Sequence, residues 1–420
     1  MIYLGLNISY KKVMKNMIIG QSGGPTAVIN SSLAGVFAGA KEAGVDKVYG
    51  MLGGVMGLLD RKYICLDDVL KSEVDIAVLR QTPSAALGSC RYKLPPVEET
   101  KTYEKLFKIF KELEIAYFIY IGGNDSMDTI LKLSAYAKTV NSDIRFVGIP
   151  KTIDNDLPVT DHTPGYGSAA KYIAGAVKEI ICDSGVYYVK SVTIIEIMGR
   201  NAGWLTAAAA LAKGEDCCGV DMIYLPENSF DIDECENRIK ELFKTKNAVV
   251  IAVSEALRDA NGEYIATSGS VHAGLDAFGH KIMSGTGQFL AQHLGKKLGV
   301  KARGIEINTL QRCAAHFMSK QDNDEAFAVG EAGAKAAVSG ATGKMAIIRR
   351  DSDSPYKYTV DMADIDEIAN VEKKIPLEWI DRENAYVKQE FIDYCRPLIQ
   401  GELSLVMSDG LPKHMKLTKQ

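Results

Sequence analysis

AYFIYIGGNDS, Ala116 to Ser126, decides how this chain folds. Six largely apolar residues, Ala116-Tyr117-Phe118-Ile119-Tyr120-Ile121, run into Gly122-Gly123 and then into Asn124, Asp125 and Ser126. Such a run reads as a buried strand that delivers a turn at its carboxyl end, where ligands bind in open α/β sheets. The plan recurs in Ile144-Arg145-Phe146-Val147-Gly148-Ile149, which runs into Pro150-Lys151-Thr152-Ile153-Asp154-Asn155-Asp156. Between them the two turns carry a lysine and five acidic or amide side chains, a set suited to phosphates, a metal and a proton.

Outward from these turns, strand-like and helix-like patterns alternate, which predicts a mainly parallel sheet wrapped by helices. Met17–Gly20 reads as a first buried strand. The helix after it places Val28, Leu33, Val36 and Phe37 at helical spacing and closes at Gly44. Further strands are expected at Lys47–Tyr49, Ile76–Leu79, Ala116–Ile121 and Phe146–Ile149. A second set is expected at Ser191–Ile197, Asp221–Leu225, Ala248–Val253 and Gly304–Ile307, with helices at Ser168–Asp183 and Ala202–Lys213. Single cores stop growing at roughly 250 to 300 residues, so 420 residues predict two Rossmann-like α/β lobes rather than one wide sheet. Arg258–Glu263 and Arg350–Lys357 read as hairpin tips, and the tail after Pro376, with Trp379, Tyr386, Phe391 and Tyr394, as a helical extension.

A composition 47% hydrophobic and 24% charged is that of a soluble globular protein. A net charge of −4 gives no broad positive field, so neither a nucleic acid nor a polybasic membrane contact is expected. The run Lys296, Lys297, Lys301, Arg303 reads as a solvated face, apart from Arg303. No apolar run reaches the length of about eighteen residues that a membrane helix requires. The start, MIYLGLNISYKK, lacks a basic n-region and a small-residue cleavage site, and Met14 or Met17 is an alternative start. Eight cysteines without metal-type spacing read as reduced thiols of a cytoplasmic protein.

Three turns are candidates for chemistry on their residues alone. Ser22-Gly23-Gly24 puts backbone N–H groups at a helix start, an anion site or a plain structural turn. Asn124 and Asp125 offer oxygens to a hard cation such as Mg2+, or cap the helix that follows. Lys151, Thr152 and Asp154 suit phosphate neutralisation and general base catalysis, or make an Asx-rich surface turn.

SGGPTAVIN (Ser22 to Asn30), LGSCR (Leu87 to Arg91), IGGNDS, PKTIDND, EIMGRNAGW (Glu196 to Trp204), Pro226-Glu227 and LQR (Leu310 to Arg312) together resemble the phosphofructokinase family, in its motif order and at its approximate spacing. The resemblance covers roughly residues 17 to 372. It implies the phosphofructokinase fold, with a phosphoryl-donor lobe of residues 17–165 and 311–372 and a sugar-phosphate lobe of 166–310. Residues 373–420 would then be an extension packing on the second lobe. Asp154 resembles the base that takes the proton from the 1-hydroxyl of fructose 6-phosphate, with Thr152 beside it. Met198, Gly199, Arg200, Glu227 and Thr309 resemble sugar-site groups, and Arg303 and Arg312 would hold the 6-phosphate by the guanidinium fork. Gly23 and Gly123 would face the donor, and Mg2+ is the implied cofactor, with Asn124 where the family usually has an aspartate ligand. A homodimer or homotetramer is implied as well. Lys190 stands near the place where ATP-using members carry an arginine that reaches a neighbouring subunit, and Arg91 resembles one of their nucleotide-phosphate contacts.

The donor turns on two positions. ATP-using members have glycine where Asp125 and Lys151 stand. Asp125 puts a carboxylate where the α-phosphate of ATP would lie, and two unit charges about 4 Å apart at an effective dielectric of about 20 repel by about 4 kcal/mol. Diphosphate escapes that penalty, and Lys151 would clamp it. The implied reaction is reversible transfer from diphosphate to fructose 6-phosphate, giving fructose 1,6-bisphosphate and phosphate. An ATP-dependent enzyme and a non-catalytic regulatory subunit of the same fold are the alternatives, and the second sits poorly with the presence of both Asp154 and Lys151.

Overall fold

The computed structural model describes residues 15–265 and 285–417. The N-terminal stretch read above as a poor signal peptide, and Met14 as a start, lie outside the described residues. Eleven strands build two sheets: β1 Asn16–Gln21, β2 Val48–Met51, β3 Tyr63–Cys65, β4 Ile115–Gly122, β5 Arg145–Pro150, β6 Ser191–Ile197, β7 Met222–Tyr224, β8 Ala248–Ser254, β9 Lys301–Glu306, β10 Lys344–Asp353 and β11 Tyr356–Asp364. The first sheet runs β11-β10-β5-β4-β1-β2-β3, parallel except at its two edges. The second, β7-β8-β6-β9, is parallel throughout. In both sheets the chain order reverses at an inner strand, β1 in one and β6 in the other. The carboxyl ends of β1, β4 and β5 therefore open a crevice that faces the ends of β6 and β8.

Ile76–Leu79, expected as a strand, is part of a helix, Glu73–Gln81. The Ser72 hydroxyl accepts from the Asp75 N–H and the Asp75 carboxylate accepts from the Ser72 N–H, a capping box that starts a helix. Ile-Ala-Val-Leu is too short for periodicity to separate the two forms, and the cap decides. The expected helix Ala202–Lys213 is a single turn, Trp204–Ala207, that tightens into a 3-10 segment, Ala208–Ala212.

The first sheet is completed by residues that follow the second lobe. Helix Lys320–Val338 crosses helix Ile29–Glu42 so closely that a Cβ on Gly35 would lie 2.0 Å from the Phe327 carbonyl oxygen, and one on Gly330 would lie 2.2 Å from that of Ser32. Only glycine permits this approach, which returns the chain to the first lobe and lets β10 pair with β5. The C-terminal extension divides. Phe391, Cys395 and Leu398 join the core around Trp204 in the second lobe. Residues 403–417 run back to the first lobe, where Leu417 joins its core cluster and the Gln81 amide donates to the carbonyls of Val406 and Lys413. The second-lobe expectation for residues 373–420 did not include that return.

A buried charge cluster braces the turn after β5 from behind. The His162 ring lies between Asp161 and Glu325, each 2.7 Å away, and Arg350 donates to Asp161 at 2.9 Å. Asn155, at a left-handed φ of 53°, accepts from the Thr163 N–H and donates to the Tyr394 hydroxyl, which donates in turn to the Asp161 carbonyl. Burial alone would push the His162 pKa down; Glu325 and Asp161 outweigh it and hold the ring at about 9. Its folded value exceeds the ordinary 6.5, so its contribution is full below about 6.5 and is lost as pH rises through about 9. Replacing His162 by leucine should cost about 3–5 kcal/mol at neutral pH, because two carboxylates lose their buried partner. Urea unfolding midpoints of the two proteins should converge above about pH 9.

Candidate active site

The crevice between the lobes holds a cavity of about 330 Å3. Its donor-side wall is built by three adjacent strand ends. After β1, Gly23 turns at a φ of +77° and its N–H donates to the Cys90 carbonyl. After β4 comes Gly122-Gly123, and after β5 comes Lys151. The Lys151 side chain is only 2% exposed, and its ammonium donates to the Gly24 carbonyl at 2.6 Å. Burial pulls its pKa down to about 8, against the opposing pull of Asp154 and Asp156. The ammonium remains the main form at neutral pH.

The turn beyond Lys151 holds Asp154 through its backbone, whose N–H donates to the Thr152 hydroxyl. Burial raises the Asp154 pKa, while Lys151 and Arg200 oppose the shift. Asp156, also buried, is pushed up to about 7 by burial and by Asp154. From the other lobe, the end of β6 brings Met198 and Arg200, and Gln311 accepts from the Met198 N–H at 3.3 Å while Arg312 lines the same wall. The chemistry available is transfer of a phosphoryl group held by Lys151, Arg200 and Arg312, with Asp154 placed to accept a proton.

Of the expected site residues, Gly23, Gly123, Asn124, Asp125, Lys151, Thr152, Asp154, Met198, Arg200 and Arg312 line this cavity. Gly199 stands just behind it with its N–H on Glu255. Glu227 accepts from the Gly203 N–H with one oxygen and lines a separate neighbouring cavity of about 280 Å3. Thr309 is exposed and does not line the cavity. Arg303 is also elsewhere: it projects from the edge strand β9, half exposed, with its guanidinium 3.5 Å from Asp183. Neither belongs to the wall formed by this single chain.

Asn124, expected at the metal, has both ends of its amide hydrogen-bonded within the protein. Its amide oxygen accepts from the Asn370 N–H at 2.6 Å and its amide nitrogen donates to the Val371 carbonyl at 2.5 Å. Asp125, expected as a carboxylate at the donor, pairs with Lys93 at 3.1 Å. Among the described residues no group of three or more His, Cys, Asp or Glu side chains is arranged to hold a metal.

Three cavity carboxylates were not singled out by sequence reasoning. Asp156 was seen only as a member of its motif. Glu255 directly follows β8, so the strand-end rule that found the other turns could have found it. Burial, with Asp154 nearby, pushes its pKa up to about 7. Glu372 lies in irregular chain remote from every motif, and no local signal marks it.

The family described as Phosphofructokinase matches residues 16–316. A protein of Methylococcus capsulatus named pyrophosphate–fructose 6-phosphate 1-phosphotransferase is 40% identical over 408 residues, 96% of each chain. One of the same name from Halomonas elongata is 40% identical over 409 residues, again 96% of each. The crystal structure of a pyrophosphate-dependent phosphofructokinase from Nitrosospira multiformis superimposes with a TM-score of 0.86 at 35% identity, covering 96% of both chains.

Proposed function

The chain belongs to the phosphofructokinase family, and from that membership we propose that it transfers a phosphoryl group reversibly from diphosphate to the 1-hydroxyl of fructose 6-phosphate. Fructose 1,6-bisphosphate and phosphate are the products. The observation that carries the choice of donor is the cavity's donor end, where buried Lys151 and Asp125 stand in the wall at the two positions that are glycine in ATP-using members.

In the reaction, Asp154 takes the 1-hydroxyl proton as the sugar oxygen bonds to the terminal phosphorus of diphosphate. The bridging P–O bond breaks, and the charge that develops on the departing phosphate falls to Lys151. Arg200 and Arg312 hold the acceptor's phosphate and hydroxyls against the opposite wall. One phosphoanhydride becomes one phosphate ester, so the chemistry runs in both directions. Mg2+, when bound, neutralises the oxygens of diphosphate; it fits here as an ion carried mainly by those oxygens, with Asp125 as the protein carboxylate that would hold it. A cation needing one or two carboxylates plus substrate phosphates suits a site without a dedicated cage.

Two features support an assembly of two or four copies. Tyr187 and Tyr188 are 62% and 97% exposed on an apolar loop before β6, and Arg303 stands on the adjoining edge strand outside its own chain's cavity. No helix among the described residues is long and apolar enough to cross a membrane, which is consistent with the cytoplasmic reading.

The reaction is tested by offering the purified protein fructose 6-phosphate and Mg2+ with diphosphate or ATP in parallel; turnover with diphosphate and little with ATP is expected. Asp154→Asn should lower kcat by about 10²–10⁴ while leaving sugar-phosphate affinity within about three-fold, as loss of a general base does. Asp125→Gly with Lys151→Gly should admit ATP as donor, measured as its kcat/KM. Because Lys93 already offsets part of the Asp125 charge, the gain should fall short of the roughly thousand-fold that bare charges imply. The acid limb of kcat/KM, corrected for titration of diphosphate, should lie above the ordinary aspartate range, since burial raises Asp154 and the base must be ionised. Glu372→Gln removes a carboxylate that raises Asp154 and should move that limb to lower pH.

A further inference from the structure

Between Ile368, buried in the first-lobe core, and Ile375, buried in the core of the second, the chain passes from one lobe to the other without regular secondary structure beyond a turn, with Glu372 in the cavity wall. This strap touches three of the turns that build the site. The Lys373 N–H donates to the Asp156 carbonyl at 2.7 Å, and its ammonium donates to the carbonyls of Asp161 and Thr160. The Trp204 indole N–H donates to the Lys373 carbonyl at 3.2 Å, with the ammonium 5.3 Å from the indole ring centroid. On the donor side, Asn124 holds the strap by both ends of its amide, and Asn370 adds a bond to Asp128 at 3.1 Å.

The chemistry of that clasp selects asparagine. One edge of the amide accepts and the other donates, so it pairs with Asn370 N–H and Val371 C=O as a neighbouring strand would. An aspartate could accept from Asn370 but would set a second oxygen against the Val371 carbonyl. The amide oxygen that a cation would use is already engaged at 2.6 Å. Asn370 sits at a φ of 63°, a left-handed conformation that asparagine tolerates, and this bends the chain so that Glu372 enters the cavity wall. There its carboxylate stands near Asp154 and Asp156, on the opposite side of the charge balance from Lys151, Arg200 and Arg312.

We propose that Asn124 is a positioning residue: its amide seats the strap Asn370–Lys373 across both lobes, and the seated strap makes Glu372 a hydroxyl-accepting element of the sugar-phosphate wall. The first half rests on geometry alone, and the second rests on the transferase reading above.

Asn124→Asp tests both. In a Trp379→Phe background, Trp204 is the one remaining indole of the chain's two, and its emission reports the Lys373 contact. Release of the strap should shift that emission and speed tryptic cleavage at Lys373 or Lys374 by about ten-fold or more, the equilibrium effect of losing a hydrogen bond. KM for fructose 6-phosphate should rise about ten-fold, the Mg2+ concentration for half-maximal rate should change less than about two-fold, and Asn124→Ser should behave likewise. Glu372→Gln should raise the same KM while leaving emission and cleavage unchanged, which separates the wall from the clasp. An Asn124→Asp protein with a protected strap and half-saturation at several-fold lower Mg2+ would make position 124 a metal ligand and overturn the proposal. Cleavage and emission need no turnover, so a chain inactive with both donors would defeat the transferase reading and leave the clasp still measurable.

Discussion

An ammonium group kept from water must be surrounded by fixed acceptors, and Lys151 imposes that condition on everything near it. It stands at the end of β5, yet its nearest acceptor is Gly24, beyond β1, with β4 lying between. The side chain therefore reaches across to the turn after β1, where a Cβ on Gly23 would lie 3.3 Å from its ammonium nitrogen. The same charge draws Asp154 and Asp156 toward ionisation that burial resists. One buried cation thus ties three strand ends into a single wall and balances the carboxylates that share it.

The opposite wall follows a different logic. Its cations, Arg200 and Arg312, are partly exposed, and the Met198–Arg200 turn is fastened by side chains: Gln311 on the Met198 N–H, Ser254 on the Gly199 carbonyl and Glu255 on the Gly199 N–H. The donor side is a desolvated clamp suited to a small, strongly anionic group, whereas the sugar side is more open and polar. Such an asymmetry fits a reaction in which the donor is the smaller and more highly charged partner.

Much of this was legible because the informative residues sit immediately after apolar strands, where hydrophobic pattern and turn chemistry point to the same place. The sequence reading placed β4, β5, β6 and β8 closely, and with them Lys151, Asp154, Met198 and Arg200. It misread Ile76–Leu79 because a four-residue apolar run has no period, and the deciding Ser72–Asp75 cap is a local contact. Motif resemblance assigned Arg303 to a phosphate but could not place it half exposed on β9 outside its own chain's cavity, since a strand's edge exposure is set by the whole sheet. Asn124 was weighed as an isolated oxygen donor; its partners are some 246 residues away in sequence, a separation no local pattern spans. Glu372 was invisible for the same reason.

The crossing of Gly35 and Gly330 bears on how the protein is made. When a ribosome has released the first 165 residues, the initial sheet has β1 to β5 but lacks β10, β11 and the helix that covers Gly35. One edge of β5 and one face of helix Ile29–Glu42 stay bare until the whole second lobe has emerged. An unpaired parallel edge is a template for other chains, so this stretch of synthesis is when nascent copies are most exposed to one another. The two lobes cannot mature in sequence as independent beads. The first lobe closes only after the chain has built the second and come back.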